Sequence, residues 1–168
     1  MNPIQIPSQL RSELFYFLNE PRVAFDESTN RLHPFFYYEI LFYTGKNGER
    51  PWENPETFIM KLIEEWNLIK PTLTELFTNR SKEVELHMKK GIAIFFMLLF
   101  WSNNKPVRLK DWEEEIKEMH VKAVNLNERL TFVLSNPKMY HSFIQLSELI
   151  GEQHKQYAKA LAITKKKA

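Results

Sequence analysis

The chain has 168 residues, of which 43% are hydrophobic and 14% aromatic, with 4 glycines and no cysteine. Such a length holds one ordinary domain with a real core, and the composition argues against disorder and against a turn-rich β protein. The missing cysteines exclude disulfides, thiolate nucleophiles and thiolate-ligated metal centres, and a net charge of +2 makes a weak case for a dedicated nucleic-acid protein.

The opening residues, MNPIQIPSQLRSELFYFL, lack the basic region, apolar stretch and small-residue cleavage site of a signal peptide. Pro7-Ser8 is expected to open a short helix with Leu10, Leu14, Phe15 and Leu18 on its apolar side. An irregular connection from Asn19 to Pro34 follows, and Pro34 suits the first helical position before FFYYEILFY. A loop spans Gly45 to Asn54. Asn54-Pro55-Glu56 then reads as a helix start, and Phe58, Ile59, Leu62, Ile63 and Trp66 make the apolar stripe. Pro71 is expected to break or kink that helix, with Leu73, Leu76 and Phe77 continuing the pattern.

Ser81 caps the next helix. From Ile92 to Phe100 this helix is apolar on every side, which requires that it be surrounded. Its apolar run, Gly91 to Trp101, is about half of the roughly 20 residues a bilayer demands, so a buried core helix is expected. Gly91 marks a close helix crossing. Asn103, Asn104 and Pro106 end the helix, because asparagine tolerates the left-handed conformation and proline forbids continuation. Trp112, Ile116, Met119 and Ala123 form another stripe, and Asn125 with Glu128 resembles a capping box. Asn136-Pro137 starts the last helix, with Tyr140, Phe143, Ser147, Ile150, His154, Tyr157 and Leu161 on one side.

The expected fold is all-α: a single-domain bundle of about six to eight helices around a buried central helix, residues about 82–102. One domain would cover residues 1–164, with 165–168 as a basic flexible tail. Without Lys165, Lys166 and Lys167 the charges balance at 20 against 21, so the body is neutral.

Motifs of chemistry are absent from the chain. His33, His87, His120, His141 and His154 fall into no HExxH or Glu-x-x-His pattern. Only Asp26 and Asp111 are aspartates, and Glu113, Glu114 and Glu115 point in different directions on a helix. No GxSxG elbow, phosphate loop or dinucleotide fingerprint occurs. No metal, cofactor or catalytic residue is therefore expected. Candidate partner-binding residues are Tyr38 in an aromatic block, Trp52, and the loop WSNNKPVRLKDW with Trp101, Asn104, Lys105, Arg108 and Trp112. The bland reading of that loop is a structural turn.

The segments HPFFYYEILFY, RPWENPE, LLFWSNNKPV and NERLTFVLSNPKMYHSFIQLSEL together resemble the YpoC-like proteins of Bacillus and its relatives, over roughly residues 3–155. The resemblance implies a Gram-positive cytoplasmic setting and an accessory role, and it carries no catalytic residues across. The leading expectation is a non-catalytic accessory factor that binds another protein, away from membranes. The alternative is a nucleic-acid-binding accessory protein using the lysine tail and the 105–110 loop. A second alternative is an enzyme with a dispersed active site. Sequence gives no reading of self-association.

Overall fold

A computed structural model describes residues 4–15, 22–23 and 34–167. Six α-helices make up the described core: α1 (Tyr37–Tyr43), α2 (Glu56–Thr78), α3 (Val84–Ser102), α4 (Trp112–Lys117), α5 (Leu126–Ser135) and α6 (Tyr140–Lys167). The fold is an all-α bundle, as the periodicity predicts. A minor antiparallel pairing of β1 (Ile4–Gln5) with β2 (Arg22–Val23) sits at its edge.

Helix α3 is the centre. Every residue from Gly91 to Ser102 is buried, and α2 and α6 pack against it. Gly91 is what lets three helices meet at one level. A Cβ there would lie 2.7 Å from Cζ3 of Trp66 on α2 and 3.0 Å from Cδ2 of Leu146 on α6. No side chain fits without moving one of them.

Several local expectations are corrected. Pro7-Ser8 opens only a 3-10 turn, Ser8–Leu10, although Leu10 and Phe15 are buried as the stripe requires; Leu18 lies outside the described residues. Helix α1 starts at Tyr37 rather than at Pro34, because Phe36 takes a left-handed backbone conformation with φ 61°. Pro71 neither ends α2 nor divides it. Pro71 and Asn67, whose carbonyl loses its partner to the missing N–H, are both exposed, so water can replace that bond. Asn125 makes no capping hydrogen bond and is itself left-handed, φ 54°. The last helix begins at Tyr140, three residues after Pro137, and Lys165–Lys167 form its final turn rather than a tail outside it. There Lys165 Nζ pairs with Glu56 at 3.0 Å.

Three helix ends share one left-handed design, the first at Gly45 (φ 73°), where Lys46 N–H reaches back to Leu41 O at 2.9 Å. Arg80 (φ 52°) lets Ser81 N–H reach back to Leu76 O at 2.9 Å, and Asn104 (φ 58°) lets Lys105 N–H reach Phe100 O at 3.0 Å. Among the described residues no helix is long and apolar enough to cross a membrane.

Candidate functional site

The loop from Asn103 to Asp111 is irregular, yet nearly every turn of it is tied down. Asn103 is a cross-link: its amide donates to Leu99 O and to Val121 O, both at 2.8 Å, and its Oδ1 accepts Val121 N–H at 3.0 Å. Asn104 takes the left-handed corner, and its amide donates to Trp52 O at 3.0 Å. Both asparagines thus tie the loop by side chain, and Asn104 also turns the backbone. Further on, Leu109 and Lys110 N–H both donate to Gln9 O, at 2.8 and 3.1 Å.

Val107, in the middle, is gripped from α1 on both sides. Its N–H donates to Oε2 of Glu39 at 3.1 Å, and its carbonyl accepts the Tyr43 hydroxyl at 3.0 Å. The same Oε2 accepts the indole N–H of Trp101 at 2.7 Å. Glu39 is 0% exposed, and its other oxygen, Oε1, has no hydrogen-bond partner among the described residues. Burial pushes its carboxyl up to about 7, while the two N–H donors pull the other way. Burial also raises the Tyr43 phenol above its usual range, and the nearby Glu39 charge adds to that.

A carboxyl titrating near neutrality suits proton transfer in principle. Here it is sealed, and its geometry serves the backbone of the loop. Sequence reasoning missed Glu39, although a signal was present: it is the only charged residue within FFYYEILFY. A lone acid in an aromatic run either breaks the helix face or finds buried donors, and this one finds donors from residues more than sixty positions away.

The predicted site residues separate into two groups. Trp52, Trp101 and Trp112 are buried at 4%, 2% and 8% exposure. Tyr38 is half-buried with its ring edge-on to Phe58 and Trp101, and Trp112 packs on Phe96. These rings are core in this chain. Asn104 is exposed, while Lys105 and Arg108 are partly so. Arg108 Nε bonds Lys110 O at 3.2 Å and lies 3.7 Å from Glu115, so it braces the start of α4. The loop therefore leaves Asn104, Lys105 and Arg108 at the surface and sends Trp101 and Trp112 inward.

A second irregular segment, residues 118–125, is held by α6. Gln153 is buried; its Oε1 accepts Ala123 N–H at 3.1 Å and its amide donates to Val121 O at 2.8 Å. Glu152 accepts Val124 N–H at 2.9 Å and pairs with Arg129 at 2.8 Å. The buried polar residues of this helix are thus Ser142 and Gln153, while His154 beside Gln153 is half-buried.

Comparison with known proteins agrees with the resemblance carried by the sequence segments. No solved structure matches the chain. A relative from Bacillus subtilis (strain 168), named Uncharacterized protein YpoC, is 37% identical over 126 residues, covering 74% of this chain and 77% of the relative. The family model described as YpoC-like protein matches residues 56–165, from the first residue of α2 almost to the end of α6. The chain belongs to the YpoC-like family.

Proposed function

We propose that the chain is a non-catalytic accessory factor of the cytoplasm that binds another protein through the outer face of the 103–111 loop. The observation that carries this reading is the double grip on Val107, with Glu39 on its N–H and Tyr43 on its carbonyl. A loop fixed in this way keeps Asn104, Lys105, Arg108 and Lys110 in a standing arrangement, so a partner has little backbone to order on binding. The loop carries three cations, Lys105, Arg108 and Lys110, against Asp111 at its end and the Glu115 carboxylate that Arg108 faces. The cations suit an acidic partner segment.

The test is capture from lysate with the tagged chain, wild type against Arg108→Glu/Lys110→Glu. Reversal removes one partly exposed ion pair and one exposed hydrogen bond, together about 1 kcal/mol, so Tm should move by no more than about 4 °C. Partner capture should fall sharply. Undiminished capture by the folded variant removes the loop from the proposal. The same capture with nuclease tests the nucleic-acid reading, in which the loop and Lys165–Lys167 act together: partners lost to nuclease would support it.

A further inference from the structure

Two clefts of opposite charge flank the turn that joins α5 to α6. The first, about 540 Å³, has Phe96 and Trp112 in its floor; Glu13, Asp111 and Glu113 line it with one cation, Arg11. The second, about 600 Å³, has Phe77 in its wall; Arg80, Lys82 and Lys138 line it with one acid, Glu85. Glu85 is already engaged, 3.4 Å from Lys138 and 4.0 Å from Lys89. The charged side chains lining the two clefts sum to equal and opposite values.

The clefts are also neighbours. Pro137 lines the acidic one and Lys138, the next residue, lines the basic one. From Glu85 to Phe96 along α3 is about 17 Å, at roughly 1.5 Å per residue. Just beyond Lys138, Met139 and Tyr140 hold 45% and 53% of their surface to solvent, and the Tyr140 ring lies edge-on to Phe77 of the basic cleft. An acidic cleft, a basic cleft and an exposed apolar pair thus share one short stretch of surface.

We propose that this face is a homodimer interface, in which a two-fold axis near residues 136–139 lays the acidic cleft of each copy on the basic cleft of the other. A two-fold contact needs a self-complementary patch, and two adjoining clefts of opposite sign supply one. The dimensions agree: a standard interface of about 800 Å² per partner is a disc of about 16 Å radius, and each cleft would lie about 8 Å from the axis. Met139 and Tyr140, beside that turn, supply exposed apolar surface for the contact to cover. The near-neutral body offers no net repulsion between copies. A second copy also brings both complements at once, at matched concentration. This inference does not rest on the partner-binding role of the 103–111 loop, although Leu109 and Asp111 of that loop also line the acidic cleft.

The experiment is sedimentation equilibrium of the full chain at low salt, from low micromolar to millimolar concentration. Wild type should approach twice 20.2 kDa, and should dissociate as salt shortens the screening length from about 10 Å to about 3 Å. Arg80→Glu/Lys138→Glu makes both clefts acidic, and Asp111→Lys/Glu113→Lys makes both basic. Each variant alone should be monomeric, and their equimolar mixture should recover the dimer mass. A wild-type chain that stays monomeric at millimolar concentration overturns the proposal. So does a mixture of the two folded variants that stays monomeric, or a reversed variant that still dimerises alone. Should either variant fail to fold, Arg80→Gly replaces it, because the φ of 52° at Arg80 is one that glycine adopts freely. That variant should melt no lower than wild type and raise the dimer Kd about tenfold, since the symmetry repeats the lost charge. An unchanged Kd overturns the proposal.

Discussion

Glu39 and Glu152 do the same work in opposite surroundings. Each accepts a backbone N–H from an irregular segment, Val107 in one case and Val124 in the other, and each has a second donor, the Trp101 indole or the Arg129 guanidinium. Yet the two carboxyls are displaced in opposite directions. Burial dominates at Glu39 and raises it to about 7. At Glu152 the Val124 N–H and then the Arg129 side chain dominate, and they hold it below the ordinary value. The difference teaches that hydrogen bonds of similar length stabilise a carboxylate only when the site leaves it enough water or countercharge. At Glu39 two neutral donors do not offset complete desolvation.

The strongest way to break this comparison is Glu39→Ala. It leaves the Trp101 and Val107 N–H groups buried and unpaired and opens a small cavity, which should cost about 4 kcal/mol at pH 5. Denaturant midpoints measure it. The cost should be smaller at pH 8, where wild type carries the burden of an ionised buried group. An equal loss at both pH values would show that the carboxyl does not titrate as described.

The next effect concerns pH itself. Glu39 has a folded value of about 7 against 4.5 unperturbed, so the folded state holds a proton that the unfolded state has released between those limits. Stability should therefore fall as pH rises from 4.5 to 7 and level off above, by roughly 3 kcal/mol in all at about 1.4 kcal/mol per pH unit. Glu39→Gln should abolish that slope, whatever its effect on the plateau. A slope that persists in the variant assigns the titration elsewhere. Glu152 runs the other way: its lowered value adds stability above the unfolded carboxylate range, lost as pH falls through its folded value. Glu152→Ala should cost only about 1 kcal/mol, because Val124 and the carboxylate's own surroundings are reached by water. A cost equal to that of Glu39→Ala would erase the distinction between the two sites.

Much of the bundle is legible from periodicity. The stripe Trp112 to Ala123 and the all-round apolar run of α3 place buried residues where the structure has them. Of the stripe Phe58 to Trp66, Ile59, Leu62 and Trp66 are buried, with Phe58 and Ile63 partly so. These signals are legible because they depend on residues one helical turn apart. Gly91 is legible for the same reason: a glycine opening an apolar helix has a packing role. The starts of α1, α5 and α6 are less so. Phe36 and Asn125 adopt positive φ, which no local preference demands of phenylalanine and which removes Asn125 from its capping geometry. Pro71 misleads because its cost depends on exposure, which sequence does not give.

The tryptophan loop divides in the same way. That Asn103-Asn104 ends α3 follows from conformational preference, and the bland structural reading of the loop holds for Trp101 and Trp112, which are core. That Asn103 would cross-link to Val121, and that Asn104 would take the corner, follows only from what lies opposite each side chain.

By itself, then, the amino-acid order determined an all-α bundle and the helix at its centre, since the drive to bury an apolar helix acts through its own residues. Tertiary structure alone decided that Glu39 is sealed beneath Trp101 and Val107, and that acidic and basic clefts share one turn. The reason is physical: a charge takes its energy from what surrounds it, and those surroundings come from residues far away in the chain.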